Sequence, residues 1–413
     1  MDRIILHCDL NAFYASVECL YRPDVAHLPV AVGGDEQMRH GIVLAKNEKA
    51  KAFGIATGEP LWKAREKCPG LVILPPHSRR YLHFSKLARN IYQRYTNRIE
   101  PFGIDEAWLD ITERGMDITA GRRIADDIRE TVQRELGVTV SVGVSFNKVF
   151  AKLGSDLKKP NGTTVIARPD VSKLVWPLPG ERLLFVGRSA KNTLHKVGLF
   201  TIRDIAHASP RVLKGCLGKV GENLWRYANG LDDSPVAMVD ETDPIKGLGN
   251  SITTARNLTR QEEIRFVFAY LAQSVSKRLR KQGLVGSTLQ IYVRFSDLSH
   301  LEHQGQLPAP TQLEDDLIRE TWRLFQGVRV QKPIRALGIR LTQLQSAEEA
   351  AQLSLLWNEK KRRQRAQLEQ CLDQIHRRFG PESVRKAPGL DENLLSLVRS
   401  TGIASLPGRP HAF

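Results

Sequence analysis

The chain has 413 residues, 41% of them hydrophobic and 26% charged, which is enough for several domains with separate cores. Lys and Arg number 61 against 45 Asp and Glu, so the formal net charge is +16 and favours a polyanionic partner such as nucleic acid. The five scattered cysteines form no C-x-x-C pair, which argues against a disulfide scaffold or a zinc site and fits a cytoplasmic protein. Because no apolar run reaches the ~18 residues of a membrane span and a strand pattern follows the first residues, we expect neither a membrane anchor nor a signal peptide.

The first 166 residues predict an α+β arrangement. The patterns favour a buried strand, two helices, a hairpin, a third helix that stops at a glycine, and an alternating strand, at residues 3–9, 13–20, 81–98, 99–111, 124–136 and 138–144. When the insert 12–75, rich in Gly and Pro, is set aside, the order is strand, helix, hairpin, helix, strand. This is the order of a split βαβ, ferredoxin-like domain.

The later parts of the chain predict further units. Residues 167–238 read as short helices with glycine breaks, and residues 239–247 as a linker. A helix at 263–282 and strands at 287–295 and 337–341 then predict a small sheet backed by helices. Its outward residues include Arg294 and Arg340, so the open face suits a DNA backbone, or equally it is a solvated charged surface.

The last segment, from Ser346, has a different pattern. An apolar stripe predicts a helix that packs by Leu368, Leu372, Ile375 and Phe379. Five basic residues at its start, between Lys360 and Arg365, favour a solvated basic helix over a specific nucleic-acid site.

Three acidic residues carry the strongest chemical signal. Asp9 ends the first strand, and Asp105 and Glu106 lie in the hairpin after the bend at Gly103. Three carboxylates at one sheet edge repel each other unless cations lie between them, which is a usual way to bind divalent ions for phosphoryl transfer. Adjacent residues of a flat strand point to opposite faces, so both hairpin acids reach one ion only if the bend twists them together or the ion lies at the edge. An exposed acidic turn is the alternative, and Asp110 fits that description as an outward acid.

Two lysine runs are candidate triphosphate contacts, with solvated faces as the alternative. There is no Walker A loop, and residues 247–249 lack the third glycine of a dinucleotide fingerprint. The runs are Lys46, Lys49 and Lys51, and, before Pro160, Lys148, Lys152, Lys158 and Lys159.

Four motif blocks, in order and at the expected spacing, together resemble the Y-family DNA polymerases of the DinB (polymerase IV) type. The resemblance covers residues 1 to about 345. The blocks are Asp9–Glu18, Gly103–Asp110, Gly143–Lys152 and Lys159–Gly162.

The resemblance implies a multidomain α+β fold and a low-fidelity, template-directed DNA polymerase that extends primers past damaged bases. Its expected substrates are primer–template DNA and dNTPs, and a monomer is expected. The implied domains are a ferredoxin-like palm (1–11 and 76–166), fingers (12–75), a helical thumb (167–238), a linker (239–247), a little finger (248–345) and a C-terminal tail (346–413).

The resemblance also implies the site. Asp9, Asp105, Glu106 and the carbonyl of Leu10 would bind two Mg²⁺ ions, with Mn²⁺ as an alternative, and Glu106 would matter most for the attacking hydroxyl. Tyr14 would be the steric gate that excludes ribonucleotides. The implied nucleotide contacts are Phe13, Tyr14, Ala45, Lys51 and Lys159.

Two regions depart from the family pattern. Glu48 and Lys51 replace a usual tyrosine and arginine, and Ala45 removes a hydroxyl, so we expect weaker nucleotide binding and a Glu48 that points away or pairs with Lys49 or Lys51. In the thumb, this chain lacks a glycine that the family has in a phosphate-binding loop, and Arg188 lies at that loop. A second thumb loop contains Lys219, and the little-finger sheet carries Arg294 and Arg340. The candidate DNA contacts are therefore Arg188, Lys219, Arg294 and Arg340.

Residues 352–356 resemble the short peptide by which bacterial polymerases bind the sliding clamp, although Leu356 replaces an aromatic residue. A segment of amphipathic helix is the alternative. The candidate contacts are Gln352, Leu353, Leu355 and Leu356.

Two other functions use the same features. A metal-dependent nuclease needs the three acids but neither Tyr14 nor the triphosphate lysines. A non-catalytic DNA-binding module on the same fold needs only the basic surface.

Overall fold

The computed structural model describes residues 2–36, 39, 41–113, 116–241, 244–348, 359–380, 383–384 and 391–398. The chain divides into two compact units, one of Met1–Gly33 with Ile42–Thr242 and one of Gly34–Gly41 with Asp243–Thr401. The boundary near residue 242 lies inside the predicted linker. Across the described ranges, none of the helices combines the length and apolarity that a membrane crossing requires.

The first unit contains eight strands and ten α-helices among its described residues. The strands are β1 (Ile5–Leu10), β2 (Val30–Gly33), β3 (Val43–Lys46), β4 (Val72–Leu74), β5 (Ile99–Pro101), β6 (Glu106–Asp110), β7 (Val140–Ser145) and β8 (Thr163–Ile166). The helices are α1 (Phe13–Tyr21), α2 (Glu48–Ala52), α3 (Leu61–Lys67), α4 (Ser78–Tyr92), α5 (Ile118–Leu136), α6 (Lys148–Leu157), α7 (Arg188–Lys196), α8 (Ile202–His207), α9 (Pro210–Leu217) and α10 (Lys219–Ala228).

A five-stranded sheet in the order β5-β6-β1-β7-β8 forms the centre of this unit. Its pairs are antiparallel except β7 with β8. The elements β1, α4, β5 and β6, α5 and β7 follow the predicted strand, helix, hairpin, helix, strand order. The helix predicted at 81–98 is shorter than expected, because α4 ends at Tyr92 and the amides of Arg94 and Tyr95 bond to carbonyls three residues earlier.

The strand β1 has two different faces because its side chains alternate. Leu6, Cys8 and Leu10 pack in the core that α4 and α5 cover. The alternate residues, which include His7 and Asp9, face α6 instead. The sheet therefore buries polar groups on the α6 side, and this is the side that matters for the site.

Helix α6 approaches the sheet very closely at one glycine. A Cβ on Gly143 of β7 would lie 1.9 Å from the carbonyl oxygen of Ala151 and 2.5 Å from the amide nitrogen of Ser155. Only glycine therefore fits there, and its small size lets α6 lie directly against the sheet.

Two smaller substructures complete the first unit. A sheet in the order β3-β2-β4 has its own core with α2 and α3, which includes Ala31, Val43 and Leu61. The helices α7 to α10 share a third core, preceded by 3₁₀ turns at Arg168–Asp170 and Gly180–Arg182 and a π-helical turn at Val171–Val175.

The second unit is a four-stranded antiparallel sheet in the order β11-β10-β12-β9, with helices on one face. Leu289, Ile291 and Val293 are buried in a core with the helices, as their alternation predicts. The elements are β9 (Gly247–Leu258), α11 (Gln261–Gln282), β10 (Leu284–Phe295), β11 (His300–Thr311), α12 (Glu314–Gln326), β12 (Ile334–Ser346), α13 (Glu359–Phe379) and α14 (Glu392–Val398).

The predicted packing of the last long helix is correct only in its middle, where Leu372 and Ile375 are half-buried. In α13, Leu368 is 60% exposed and Phe379 65% exposed, whereas Glu369 is buried. The buried guanidinium of Arg280 in α11 forms ion pairs with Glu369 and Asp373, and its Nε lies 2.7 Å from Asp373 Oδ2. This polar seam attaches the helix, and hydrophobic periodicity does not reveal such a seam.

The basic start of α13 is also less solvated than expected. The guanidinium of Arg362 lies 3.1 Å from Asp316 Oδ2, and that of Arg365 lies 3.5 Å from Asp315 Oδ2. Both acids are in the first turn of α12. Part of the basic cluster therefore holds α13 against α12 of the same unit.

Candidate active site

The register of β1 and β6 sets two carboxylates side by side. Asp9 pairs directly with Glu106 across the two antiparallel strands, and both are buried. Because the register is in phase, their side chains share the face that α6 covers. The two hairpin acids belong to different parts of the chain: Glu106 is the first residue of β6, and Asp105 lies outside the strand.

Asp105 belongs to the bend before β6. Its carbonyl accepts a hydrogen bond of 3.0 Å from the amide of Leu10, which ties the bend to the end of β1. Among the described residues, the group with ligand atoms within 4.8 Å of one another consists of His7, Asp9 and Glu106. The structure thus brings two of the three predicted acids together, adds a histidine, and leaves Asp105 at the adjoining bend.

Asp110, expected as an outward acid, is in fact buried. Its side chain accepts a hydrogen bond from the amide of Thr112 and lies 3.5 Å from the guanidinium of Arg98. The in-phase register places it at the far end of the same face, opposite Ile5. It is a structural acid of the hairpin.

Two lysines hold the facing carboxylates. The Nζ of Lys152 in α6 lies 2.9 Å from Asp9 Oδ2 and 3.0 Å from Glu106 Oε2. The Nζ of Lys159 lies 2.8 Å from Asp9 Oδ2 and 2.8 Å from Asp156 Oδ1. Lys159 was a predicted nucleotide contact, whereas Lys152 was only one member of a basic run.

The charges of this group support each other. Burial alone would raise the pKa of Glu106, but the positive charge of Lys152 holds that pKa below its usual range. Burial alone would lower the pKa of Lys152, but the charges of Asp9 and Glu106 raise it. Burial lowers the pKa of His7, which favours the neutral imidazole. The carboxylate of Glu106 is therefore ionised in a nearly dry environment.

This donor set fits a hard divalent cation. Two carboxylates share one face, and an ammonium group already stands between them as a cation. Carboxylate oxygens are the ligands that Mg²⁺ prefers, together with water and substrate phosphates. The site could exchange the ammonium of Lys152 for such an ion without creating unbalanced charge.

The aromatic ring of Tyr14 is fixed near Asp105. It lies near the start of α1, stacked on Tyr81 with 4.2 Å between ring centroids and 12° between planes. The hydroxyl of Tyr81 donates a hydrogen bond of 2.8 Å to the buried carboxylate of Glu18. Burial, and then the charge of Asp105, raise the pKa of Tyr14 to about 12, so the phenol is neutral and close to Asp105.

Sequence reasoning missed three of these supporting residues. Tyr81 was only the first residue of a predicted helix, and His7 was one position in a buried strand. Glu18 lies inside a motif block, but nothing in its spacing predicts the bond with Tyr81. A polar residue inside an otherwise apolar run was the available signal for His7.

The other predicted nucleotide contacts lie on different elements. Phe13 is buried and packs against the rings of Tyr14 and Tyr81. Ala45 lies in β3, opposite Val32 of β2. Glu48 forms an ion pair with Lys51, with 3.1 Å between Oε2 and Nζ, which is one of the expected alternatives. Lys49 instead donates a hydrogen bond to the carbonyl of His27.

The predicted DNA contacts are exposed or half-exposed. Arg188 is the first residue of α7, and Lys219 is the first residue of α10. Arg340 is exposed and Arg294 half-buried, and each alternates with buried residues of the second unit's core. The clamp residues Gln352, Leu353, Leu355 and Leu356 lie outside the described residues.

Comparison with known proteins agrees with this arrangement. The impB/mucB/samB family matches residues 8–156, and the C-terminal domain of the same family matches residues 245–355. DNA polymerase IV of Acetivibrio thermocellus is 47% identical over 96% of this chain and 100% of its own length. DNA polymerase IV 1 of Bacillus subtilis is 34% identical over 94% of each chain.

A solved structure has the same fold. The Y-family DNA polymerase chimera Dbh-Dpo4(243-245)-Dbh superposes with a TM-score of 0.74 at 23% identity, over 83% of this chain and 99% of its own. The fold class inferred from the sequence is therefore confirmed. The chain belongs to the impB/mucB/samB family, and its resemblance to the Y-family polymerases of the DinB type is confirmed as well.

Proposed function

We propose that Asp9, Glu106 and Asp105 carry the nucleotidyl transfer of a translesion DNA polymerase. The protein is a DNA-directed DNA polymerase that uses primer–template DNA and dNTPs, and it is metal-dependent like its family. The observation that carries the assignment of residues is the buried, ionised pair of Asp9 and Glu106 with a cation between them.

The proposed cofactor is a pair of Mg²⁺ ions, with Mn²⁺ as an alternative. Asp9, Asp105, Glu106 and the carbonyl of Leu10 would hold them. When bound, such ions lower the pKa of the primer 3′-hydroxyl and offset charge on the triphosphate.

The chain's own residues prepare this chemistry. Burial keeps water away from Asp9 and Glu106, and the fixed sheet register sets the distance between them, so little reorganisation is needed. Lys152 balances the carboxylates before substrate arrives, and Lys159 is placed to turn from Asp9 to a phosphate. In this proposal, Glu106 acts on the side of the attacking primer 3′-hydroxyl.

The alternatives are not favoured. A nuclease would not need an aromatic ring locked beside the acids, yet Tyr14 is stacked on Tyr81 and held through Glu18. A non-catalytic DNA-binding module would not need buried carboxylates that remain ionised. The relatives named above are DNA polymerases, and their similarity to this chain extends over nearly their whole length.

Tyr14 is proposed as the steric gate, with its ring in the place of a ribose 2′-hydroxyl. Tyr14→Ala removes the ring, so the kcat/KM for a ribonucleotide relative to its deoxynucleotide should rise about 10- to 100-fold. Single-nucleotide primer extension measures this ratio. Tyr81→Phe, which keeps the stacked ring but loses the bond to Glu18, is the matched control and should stay near the wild-type ratio. Unchanged discrimination in Tyr14→Ala would contradict the gate.

Lys51 and Ala45 are proposed to contact the triphosphate from the fingers, and the ion pair with Glu48 holds Lys51 back. Glu48→Gln frees the ammonium, so the KM for dNTP should fall about 2- to 5-fold, the worth of an exposed ion pair. Steady-state primer extension measures it. Glu66→Gln, an exposed acid on α3, is the control, and an equal or higher KM in Glu48→Gln would count against this role.

The remaining partner contacts are also proposals. Arg188 and Lys219 at two helix starts, with Arg294 and Arg340 on the second unit's sheet, would contact the DNA backbone. We further propose a monomeric cytoplasmic enzyme. Light scattering of the free protein tests the monomer, because a mass of two chains would contradict it.

Residues 352–356 are proposed to bind the sliding clamp. Deleting them should abolish stimulation of synthesis by the clamp while leaving clamp-free synthesis near the wild-type rate, because the deletion removes none of the residues proposed to bind metal, nucleotide or DNA. Primer extension with and without clamp measures both rates. An equal loss of the two would refute the assignment.

A further inference from the structure

The imidazole of His7 is a buried polar group that the reaction described above leaves without a role. It lies on β1 two residues before Asp9, on the same face, and it is fully buried. Its Nε2 lies 3.4 Å from Glu106 Oε2. Within the described part of the chain, this nitrogen has no hydrogen-bond partner.

The tautomer of the ring follows from its other nitrogen. The Ser155 hydroxyl has one proton, which it donates to the carbonyl oxygen of Lys152 at 2.8 Å. The contact of 2.9 Å between Ser155 Oγ and His7 Nδ1 is therefore an N–H donated by the ring. This leaves Nε2 as the ring nitrogen that faces Glu106, and the ligand atoms of His7, Asp9 and Glu106 lie within 4.8 Å of one another.

Because His7 Nε2 and Glu106 Oε2 lie side by side, both atoms can ligate one cation. Metal-binding histidines have the same arrangement, with the distal N–H donated to a protein oxygen that fixes the ring. Ligands held at ~2.1 Å from one ion are about 3.0 to 3.4 Å apart, and His7 Nε2 lies 3.4 Å from Glu106 Oε2.

We propose that His7 is a nitrogen donor to the divalent-ion site, so that His7, Asp9 and Glu106 together bind a transition-metal ion such as Mn²⁺ in preference to Mg²⁺. An imidazole nitrogen adds affinity for transition metals, whereas Mg²⁺ prefers oxygen ligands alone. The inference rests on the proposed divalent-ion site and deepens it. Ser155 orients the donor, and the ammonium of Lys152 gives way when the ion binds.

Pulsed EPR with Mn²⁺ alone, added to the full-length protein without DNA or nucleotide, tests this directly. We expect one bound Mn²⁺ with a ¹⁴N coupling of a ligated imidazole, which changes to a ¹⁵N coupling after labelling with ¹⁵N-histidine. His7→Gln should remove the coupling and weaken Mn²⁺ binding about 10- to 100-fold, with a smaller loss in Ser155→Ala. His83→Gln, at an exposed histidine on α4, is the matched control.

Bound Mn²⁺ without nitrogen coupling, equal Mn²⁺ affinity in His7→Gln and His83→Gln, or failure of the wild-type protein to bind Mn²⁺ would each overturn the proposal. The decisive spectrum is that of the wild-type protein with Mn²⁺, so a folding defect in a variant does not change the conclusion. Primer extension by the same preparation in Mg²⁺ tests the polymerase site separately. Extension without nitrogen coupling would reject His7 as a donor and leave the carboxylate assignment standing.

Discussion

The site depends on the electrostatic balance of two like charges that the sheet forces together. The antiparallel register of β1 and β6 leaves Asp9 and Glu106 no freedom to separate, and burial prevents water from screening them. The ammonium of Lys152 offsets their repulsion from the opposite helix. A pair of acids that must have a cation between them is well suited to exchange that cation for a catalytic ion.

The fold is arranged to bring this cation into place. Lys152 reaches the sheet because α6 lies directly on β7, and α6 can do so because Gly143 has no side chain. On the other side, the helix that begins at Phe13 follows β1 almost immediately and carries Tyr14 to the same edge. The motif blocks at Asp9–Glu18 and Gly143–Lys152 thus describe the two walls of one site.

Much of this was predictable from the sequence, and the failures have physical causes. A buried apolar run and a hairpin pattern located the strands that carry Asp9 and Glu106, and the ferredoxin-like order placed those strands in one sheet. Spacing could not decide which of Asp105 and Glu106 faces Asp9, because that depends on the residue at which β6 begins. The role of Lys152 was hidden because a lysine run looks the same whether one member turns inward or all are solvated.

Packing by polar groups was the least predictable feature. In α13, apolar periodicity predicted burial of Leu368 and Phe379, but both are exposed, and Glu369 and Asp373 instead face the buried Arg280. His7 was likewise read as part of an apolar strand. In both cases the partner that stabilises the buried polar group is distant in sequence, so no local pattern identifies it.

The central claim is that the ionised carboxylate of Glu106, opposite Asp9, is required for chemistry rather than for folding or DNA binding. Single-turnover primer extension in Mg²⁺ with Glu106→Gln tests it, with Asp110→Asn, a buried acid on the same face of the same strand, as the control. The account predicts a rate about 1,000-fold below wild type for Glu106→Gln with unchanged affinity for primer–template, and near wild-type extension for Asp110→Asn. Extension by Glu106→Gln at a rate close to that of Asp110→Asn would contradict it.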